Sequence, residues 1–498
     1  LLVSSFFFLM MQRKFIRFIE ENMKSYGLWI DGNWRKSSSM EWFAVENPAN
    51  GEKIAEVSSA NAEDVELAVS AAYRAFLQWR KLTARVRADF LRRWYELIIE
   101  AGNELAALIT KEQGKPFQEA QAEIKYAASF LQWFSEEAPR VYGQVIPSPW
   151  DDEKIYTLKE PVGVALLITP WNFPAAMITR KAGAALAAGC AVIIKPASDT
   201  PLTALRLAEL ASVAGIPAGV VNVVTGDAEK ITKICMDDER IRKVSFTGST
   251  AIGKKLMQQA AKTMKRLSLE LGGNAPFIVC EDANIDAALE GLMRSKFRNA
   301  GQTCIAANRV LLHEKIQQQF VEKLLAKISA LKIGNGEDGN TDIGPLINAK
   351  AVMRVAGGIE SAINLGAKCI IGGERNSAGA NFFTPTILLD MPIEANFWQE
   401  EIFAPIVAIK SFSSDEEALI LANNQAYGLA SYCYTVTNSR MESYIKNLDF
   451  GMVAMNSGVL STSVAPFGGR KESGFGREGG SEGIAEYLDV KMIHLGVV

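Results

Sequence analysis

The 498-residue sequence predicts an α/β protein built on a parallel sheet covered by helices on both faces and followed by a second α/β unit. Three observations carry this. From Val162 onward, short continuous apolar runs alternate with helical stretches, which places strands at 164–168, 191–195, 220–224, 243–246 and 266–269. Continuous apolar strands joined by helices belong to a parallel sheet buried on both sides. A second set begins near Gly273, with strands at 276–280, 309–313, 367–371 and 406–411. The chain is also too long for one ordinary core, so two or three domains are expected.

Taken in order, residues 26–34 read as a hairpin, two aromatic-rich arms around Asp31 and Gly32. Asn61 has the character of an N-cap, followed by Val65, Ala68, Val69, Ala72 and Phe76 at helical spacing. Further amphipathic helix covers 84–112 and 118–137, punctuated by Gly114 and Pro116. Residues 154–160 alternate polar and apolar, as an exposed strand does, and such an edge wants a partner, which another subunit could supply. One helix of the first α/β unit should open at Thr200 and Pro201, the threonine as N-cap. The tail, 487–493, is again strand-like.

Composition removes several function classes. Hydrophobic content of 48% and charged content of 22% are those of a globular protein. Basic and acidic residues nearly cancel, 53 against 56, so nothing concentrates positive charge for nucleic acid. The six cysteines form no C-x-x-C pair, which fits a reducing compartment. With only two histidines, His313 and His494, neither a zinc site nor a Ser-His-Asp triad is expected. The apolar run at 1–11 is too short to span a bilayer and has no basic segment before it. Residues 1–23 therefore read as a non-native or disordered extension, with a natural start at Met11 or Met23.

Ligands of parallel sheets bind at the carboxyl ends of the strands. Those ends carry Thr169-Pro170-Trp171-Asn172, Lys195-Pro196-Ala197-Ser198, Thr225-Gly226 and Thr247-Gly248-Ser249, small, hydrogen-bonding or cationic residues suited to a nucleotide. No G-x-G-x-x-G fingerprint is present. The better phosphate candidate is the turn at Gly248 and Ser249, where a strand ends and a helix opens with free N–H groups. Glu270 ends an apolar strand, placed for proton work or for a structural pair. Cys304 follows Gly301-Gln302-Thr303, where the glycine permits a sharp bend; a thiol held there is either a nucleophile or a small buried hydrophobe.

Six windows in order then carry a resemblance: Pro170-Trp171-Asn172-Phe173-Pro174, Phe246-Thr247-Gly248-Ser249, Leu269-Glu270-Leu271-Gly272-Gly273, Gly301-Gln302-Thr303-Cys304, Glu401-Ile402-Phe403-Ala404-Pro405 and Pro466-Phe467-Gly468-Gly469. Their order and spacing resemble the NAD(P)-dependent aldehyde dehydrogenases from about Tyr26 to the C-terminus. Ala404 stands where that family usually has glycine, which is tolerated wherever φ is negative. The resemblance implies a Rossmann-like cofactor domain (24–140 and 162–272), an α/β catalytic domain (273–477) and a small β oligomerisation arm (141–161 and 478–498). It implies Cys304 as nucleophile, Glu270 as the base that activates water, and Asn172 with the Cys304 N–H as oxyanion donors. Cofactor contacts are implied at Thr169, Pro170, Trp171, Asn172, Lys195, Pro196, Ala197, Ser198, Gly226, Gly248, Ser249, Leu271, Glu401 and Phe403.

Within the family, the windows at 172–181, 295–299 and 474–479 are most similar to succinate-semialdehyde dehydrogenases, enzymes of 4-aminobutyrate degradation. That similarity implies Arg180, Arg298 and Ser461 as a clamp on the substrate's remote carboxylate, which guanidinium groups hold in a fork. Ala306 replaces the second cysteine that gives some relatives a disulfide switch, so no such switch is expected. NAD-specific relatives tend to carry glutamate where this chain has Ser198, so NADP is expected to be preferred, with NAD still bound. No metal is implied. The expected assembly is a cytoplasmic homodimer or homotetramer without nucleic-acid or membrane partners. Another acidic aldehyde such as glutarate semialdehyde is the alternative substrate. A CoA-acylating enzyme is disfavoured by Glu270, and a non-catalytic structural protein would need neither Glu270 nor Cys304.

Overall fold

The computed structural model describes residues 25–496; the extension at 1–23 and its two candidate starts lie outside them. An eight-stranded sheet forms the first unit, in the order Gly474–Phe475, Arg266–Glu270, Ile241–Thr247, Val164–Ile168, Ala191–Lys195, Val221–Val223, Leu28–Ile30 and Asn33–Arg35. Its five central strands are parallel. The expected hairpin caps one edge antiparallel to Val221–Val223, and Gly474–Phe475 closes the other.

Side-chain alternation explains why these strands are apolar throughout. Ala165 and Leu167 face helices Ala84–Glu100, Phe117–Glu137, Ala176–Ala188 and Pro201–Val213. Val164, Leu166 and Ile168 face helices Ala62–Trp79, Ala228–Asp237 and Thr250–Ala260 on the opposite side. With both faces dry, no position in the strand tolerates charge unless it is paired.

The second unit is a seven-stranded sheet, in the order Lys368–Ile371, Thr386–Leu389, Ile406–Phe412, Ala307–His313, Ala275–Val279, Ala430–Tyr434 and Met452–Met455. Three of these strands, Thr386–Leu389, Ala430–Tyr434 and Met452–Met455, were not expected from the sequence. Ala430–Tyr434 lies fully buried beside Ala275–Val279, yet its Ser431 and Cys433 interrupt any apolar run. Lys368–Ile371 is an antiparallel edge with mostly exposed residues rather than a member of the parallel set.

Helix starts follow two different rules. Asn61 caps locally, as its sequence suggests: its side chain accepts the Asp64 N–H at 3.0 Å and Asp64 returns the favour to Asn61 N–H. Thr200 does not cap the helix Pro201–Val213. The buried Glu112 carboxylate does so, accepting the N–H groups of Leu202 (2.8 Å) and Thr203 (2.9 Å). A carboxylate supplied from another helix outcompetes the local hydroxyl because it takes two N–H donors and complements the helix dipole.

The polar–apolar strand Glu153–Pro161 finds its partner within the chain. It pairs antiparallel with the C-terminal strand Leu488–Gly496 over nine residue pairs, and Val145–Ile146 adds a third strand. Leu488–Gly496 remains an edge, with Val490 and Met492 exposed. Among the described residues no helix is long and apolar enough to cross a membrane. Ending the chain after Glu486 would strip Glu153–Pro161 of this ladder and remove the buried Tyr487 and Leu488. The shortened protein is expected in the insoluble fraction, and a soluble, active product on expression would contradict this.

Candidate active site

The turn that leads to Cys304 begins where the helix Ile285–Lys296 stops. The sequence suggested one bend at Gly301; the structure puts three successive residues in the left-handed region, Asn299 (φ 54°), Ala300 (φ 53°) and Gly301 (φ 74°). A left-handed non-glycine residue costs roughly 1–2 kcal/mol, so this turn must be held by its surroundings. Gly301 is required for space as well: a Cβ there would lie 2.3 Å from the Ala404 carbonyl oxygen. Ala404 itself is not left-handed, as its side chain requires.

The turn is tied to the loop that carries Asn172. Asn299 Nδ2 donates to the Asn172 carbonyl (3.0 Å) and the Gln302 carbonyl (3.3 Å). Asn172 Nδ2 donates to the same Gln302 carbonyl at 3.0 Å, so its amide points at the turn leading to Cys304, and its Oδ1 is buried without a partner. Cys304 is partly exposed. Burial pushes its thiol up to about 12; Glu401 and Glu270 add to this, while Arg180 and Arg298 oppose it.

Glu270 ends the strand Arg266–Glu270, buried, with both carboxyl oxygens unpartnered among the described residues. Burial first, then neighbouring Glu478, raises it well above the ordinary carboxyl value; Arg180, Lys181 and Arg477 pull the other way. An unpartnered carboxyl of raised basicity has both oxygens available to a water molecule.

Lys181 and Glu478 are functional neighbours that the sequence reading did not single out. Lys181 Nζ donates to Thr247 Oγ1 (2.7 Å), to Ser245 Oγ (3.2 Å) and to Glu478. Burial raises Glu478, but Lys181 and Arg180 outweigh it and hold the carboxyl below its ordinary value. The available signal was Arg180-Lys181 inside the otherwise apolar helix Ala176–Ala188, where two buried cations demand a counter-charge.

Arg180 and Arg298 are not equivalent. Arg298 and Ser461 border one pocket of about 440 Å³ together with Glu119, Phe297, Ile305 and Tyr432. Ile305 directly follows the nucleophile, and its carbonyl accepts the Tyr432 hydroxyl at 2.7 Å. Arg180 is not part of that lining. Its guanidinium lies over the Phe467 ring at 4.2 Å, with Nε 2.8 Å from Glu478 Oε2 but out of hydrogen-bond alignment; its Nη2 is buried and unpartnered.

On the nucleotide side, the expected residues fall at the carboxyl ends of neighbouring strands. Thr169 Oγ1 is buried and unpartnered. Lys195 Nζ donates to the Pro196 carbonyl at 2.9 Å, and burial brings its ammonium down to about 8 against the opposing pull of Asp227 and Asp199. Ser198 Oγ reaches the Gly226 carbonyl at 3.4 Å. The Gly248 N–H is already used by the Glu270 carbonyl (3.0 Å), which corrects the expectation of a free donor there. Ser249 N-caps the eleven-residue helix Thr250–Ala260 through the Ile252 N–H. Pro170 and Trp171 precede Asn172, and the Trp171 ring meets left-handed Phe403 edge-on at 5.5 Å. Half-buried Glu401 has its carboxyl raised to about 7 by desolvation and accepts the Gly273 N–H at 3.3 Å. Leu271 is buried one residue beyond Glu270, while Ala197 sits between Pro196 and Ser198 at the strand exit.

This chain belongs to the aldehyde dehydrogenase family, whose model matches residues 34–493. It is 49% identical over 468 residues to the succinate-semialdehyde dehydrogenase [NADP(+)] GabD of Escherichia coli (strain K12), covering 94% of this chain and 97% of that one. It is equally 49% identical over 469 residues to a 3-sulfolactaldehyde dehydrogenase of Pseudomonas putida, covering 94% and 96%. The crystal structure of succinate-semialdehyde dehydrogenase from Burkholderia pseudomallei superposes with a TM-score of 0.95 at 46% identity, covering 96% of this chain and all of that one.

The raised thiol makes a direct statement about pH. Below its pKa the thiolate fraction grows about tenfold per pH unit, so Cys304 alkylation by iodoacetamide should climb about that steeply from pH 7 to 9. The expectation is for enzyme without cofactor, read by peptide mass spectrometry. A rate already flat at pH 7 would mean that the thiolate is preformed.

Proposed function

We propose that this enzyme oxidises succinic semialdehyde to succinate with NADP preferred and NAD accepted. One observation carries the substrate reading: Arg298 and Ser461 face a shared pocket beside the nucleophile's turn. A carboxylate entering that pocket meets a guanidinium and a hydroxyl, and the unpartnered Nη2 of Arg180 is a further donor near Cys304. The E. coli relative bears the same substrate name, and the relatives named for glutarate semialdehyde make the five-carbon homologue the competing substrate.

Cys304, once deprotonated, attacks the aldehyde carbon, and the resulting oxyanion takes donors from the Asn172 amide and the Cys304 N–H. Asn172 must exchange its bond to the Gln302 carbonyl for that oxyanion. A bound nicotinamide would supply the hydride acceptor that lets the thiohemiacetal on Cys304 become a thioester. The buried, unpartnered Thr169 hydroxyl, Lys195 and Glu401 fit a dinucleotide, with Glu401 and Lys195 as holders of its two riboses. Glu270 then draws a proton from water, which hydrolyses the thioester. The cofactor-binding, catalytic and arm regions follow the boundaries given above, in a cytoplasmic homodimer or homotetramer joined through the exposed edge Leu488–Gly496. Sedimentation of the intact chain tests the assembly; a monomer would remove it.

Replacing Glu270 with Gln should leave a single-turnover burst of reduced cofactor and abolish the steady state, whereas Cys304→Ala should give no burst. Full steady-state turnover in Glu270→Gln would remove that residue from deacylation.

Arg298→Ala should lower kcat/KM for succinic semialdehyde by about 30-fold or more while sparing an uncharged aldehyde of similar length. The loss of a charge-assisted partner costs roughly 2–5 kcal/mol, at ~1.4 kcal/mol per decade. Equal losses on both substrates would show that the arginine is structural. The same assay with the four- and five-carbon semialdehydes ranks the two candidate substrates.

Cofactor choice turns on Ser198, whose neutral side chain would not repel a 2′-phosphate. In Ser198→Glu the ratio of kcat/KM values should swing toward NAD by about tenfold or more, from ~1.4 kcal/mol of added repulsion. A wild-type enzyme that strongly prefers NAD, or a variant that keeps its NADP preference, would show that Ser198 is not the selector.

A further inference from the structure

The strained turn before the nucleophile is held from outside by one carboxylate. Glu119 stands in the first turn of the helix Phe117–Glu137, and its Oε2 accepts the backbone N–H of Asn299, 180 residues away, at 2.7 Å. Asn299 opens the left-handed run, and Ala300, which follows, has no side-chain group that could stabilise its own positive φ. The Asn299 side chain in turn donates to the carbonyls of Asn172 and Gln302. One backbone N–H therefore fixes the residue that ties the turn leading to Cys304 to the loop carrying Asn172. A carboxylate acceptor makes that bond stronger than a neutral carbonyl would.

Resting on the reading of Cys304 as nucleophile, we propose that Glu119 is a positioning residue for aldehyde oxidation: as a hydrogen-bond acceptor it holds Asn299 left-handed and thereby places Cys304 against the Asn172 loop. Glu119 also borders the pocket with Arg298, so the competing role is that of counter-charge to this arginine. Two conservative variants separate acceptor from charge. Glu119→Gln keeps an oxygen acceptor at the same reach and loses the charge; Glu119→Asp keeps the charge and falls one methylene short.

Under the proposal Glu119→Gln keeps a larger share of wild-type kcat than Glu119→Asp, which loses about fivefold or more at unchanged KM for NADP. The rate of Cys304 alkylation, read by peptide mass spectrometry, should fall with kcat in the Asp variant. Adding Ala300→Gly, which removes the Cβ that opposes a positive φ, should recover about half or more of the loss. Wild-type kcat in Glu119→Asp, a Gln variant as impaired as the Asp one, or no recovery with Ala300→Gly would each overturn it. Activity surviving in Cys304→Ala would instead overturn the nucleophile reading, which none of the Glu119 variants tests.

Discussion

A fully buried ion pair holds the site's two halves at a fixed separation. Lys115 Nζ lies 2.6 Å from Glu123 Oε2 and donates to the Asn172 carbonyl at 2.7 Å, while Glu123 Oε1 accepts the N–H of Ala175 at 2.9 Å. The pair thus joins the long helix Phe117–Glu137 to the loop that precedes the helix Ala176–Ala188. Such a pair adds little net stability compared with a well-packed apolar one, because desolvation offsets the attraction. Removing a single partner, however, strands a charge where no water can reach it, at a cost of roughly 3–5 kcal/mol. The consequence is geometric rather than energetic: the Asn172 loop has one place to be. The turn leading to Cys304, hung on the Asn172 carbonyl through Asn299, inherits that place.

The same dryness governs the ionisation of the reacting groups. Burial raises Cys304, Glu270 and Glu401 and brings Lys296, whose Nζ has no partner among the described residues, down to about 7. All four shifts favour the uncharged form. Glu478 is the exception, kept ionised because Lys181 and Arg180 converge on it. Its retained charge lies next to Glu270 and reinforces the basicity that desolvation already gives that carboxyl. Proton movement in this site is therefore set by which buried groups own a partner and which do not.

The two sheets explain how distant segments meet. Glu270 ends a strand of the eight-stranded sheet and the next strand, Ala275–Val279, belongs to the seven-stranded one, so the chain crosses between them through Leu271 to Asn274. The Gly273 N–H in that crossing reaches Glu401, and the return strand Gly474–Phe475 pairs back onto Arg266–Glu270. Glu270, at the end of its strand, and Glu401, through the Gly273 N–H, thus meet at one short connection.

Much of this was legible in the sequence. The alternation of apolar strands and helices requires sheets covered on both faces, and residues 164–168 and 191–195 carry that information locally. The capping box at Asn61 is equally local, since its partners lie three residues apart. Cys304, Glu270 and Asn172 were marked by the windows around them. The sequence could not show that Glu112 rather than Thr200 would cap the helix Pro201–Val213, or that Glu119, Glu123 and Glu478 would reach Asn299, Ala175 and Lys181. Nor could it show that Arg298 and Ser461 would share a pocket that Arg180 does not line. The physical reason is common to all of them. Periodicity and capping are set by neighbours within a turn or two of chain, whereas a buried carboxylate takes whatever donor the folded core brings to it. Only the tertiary structure decides that pairing.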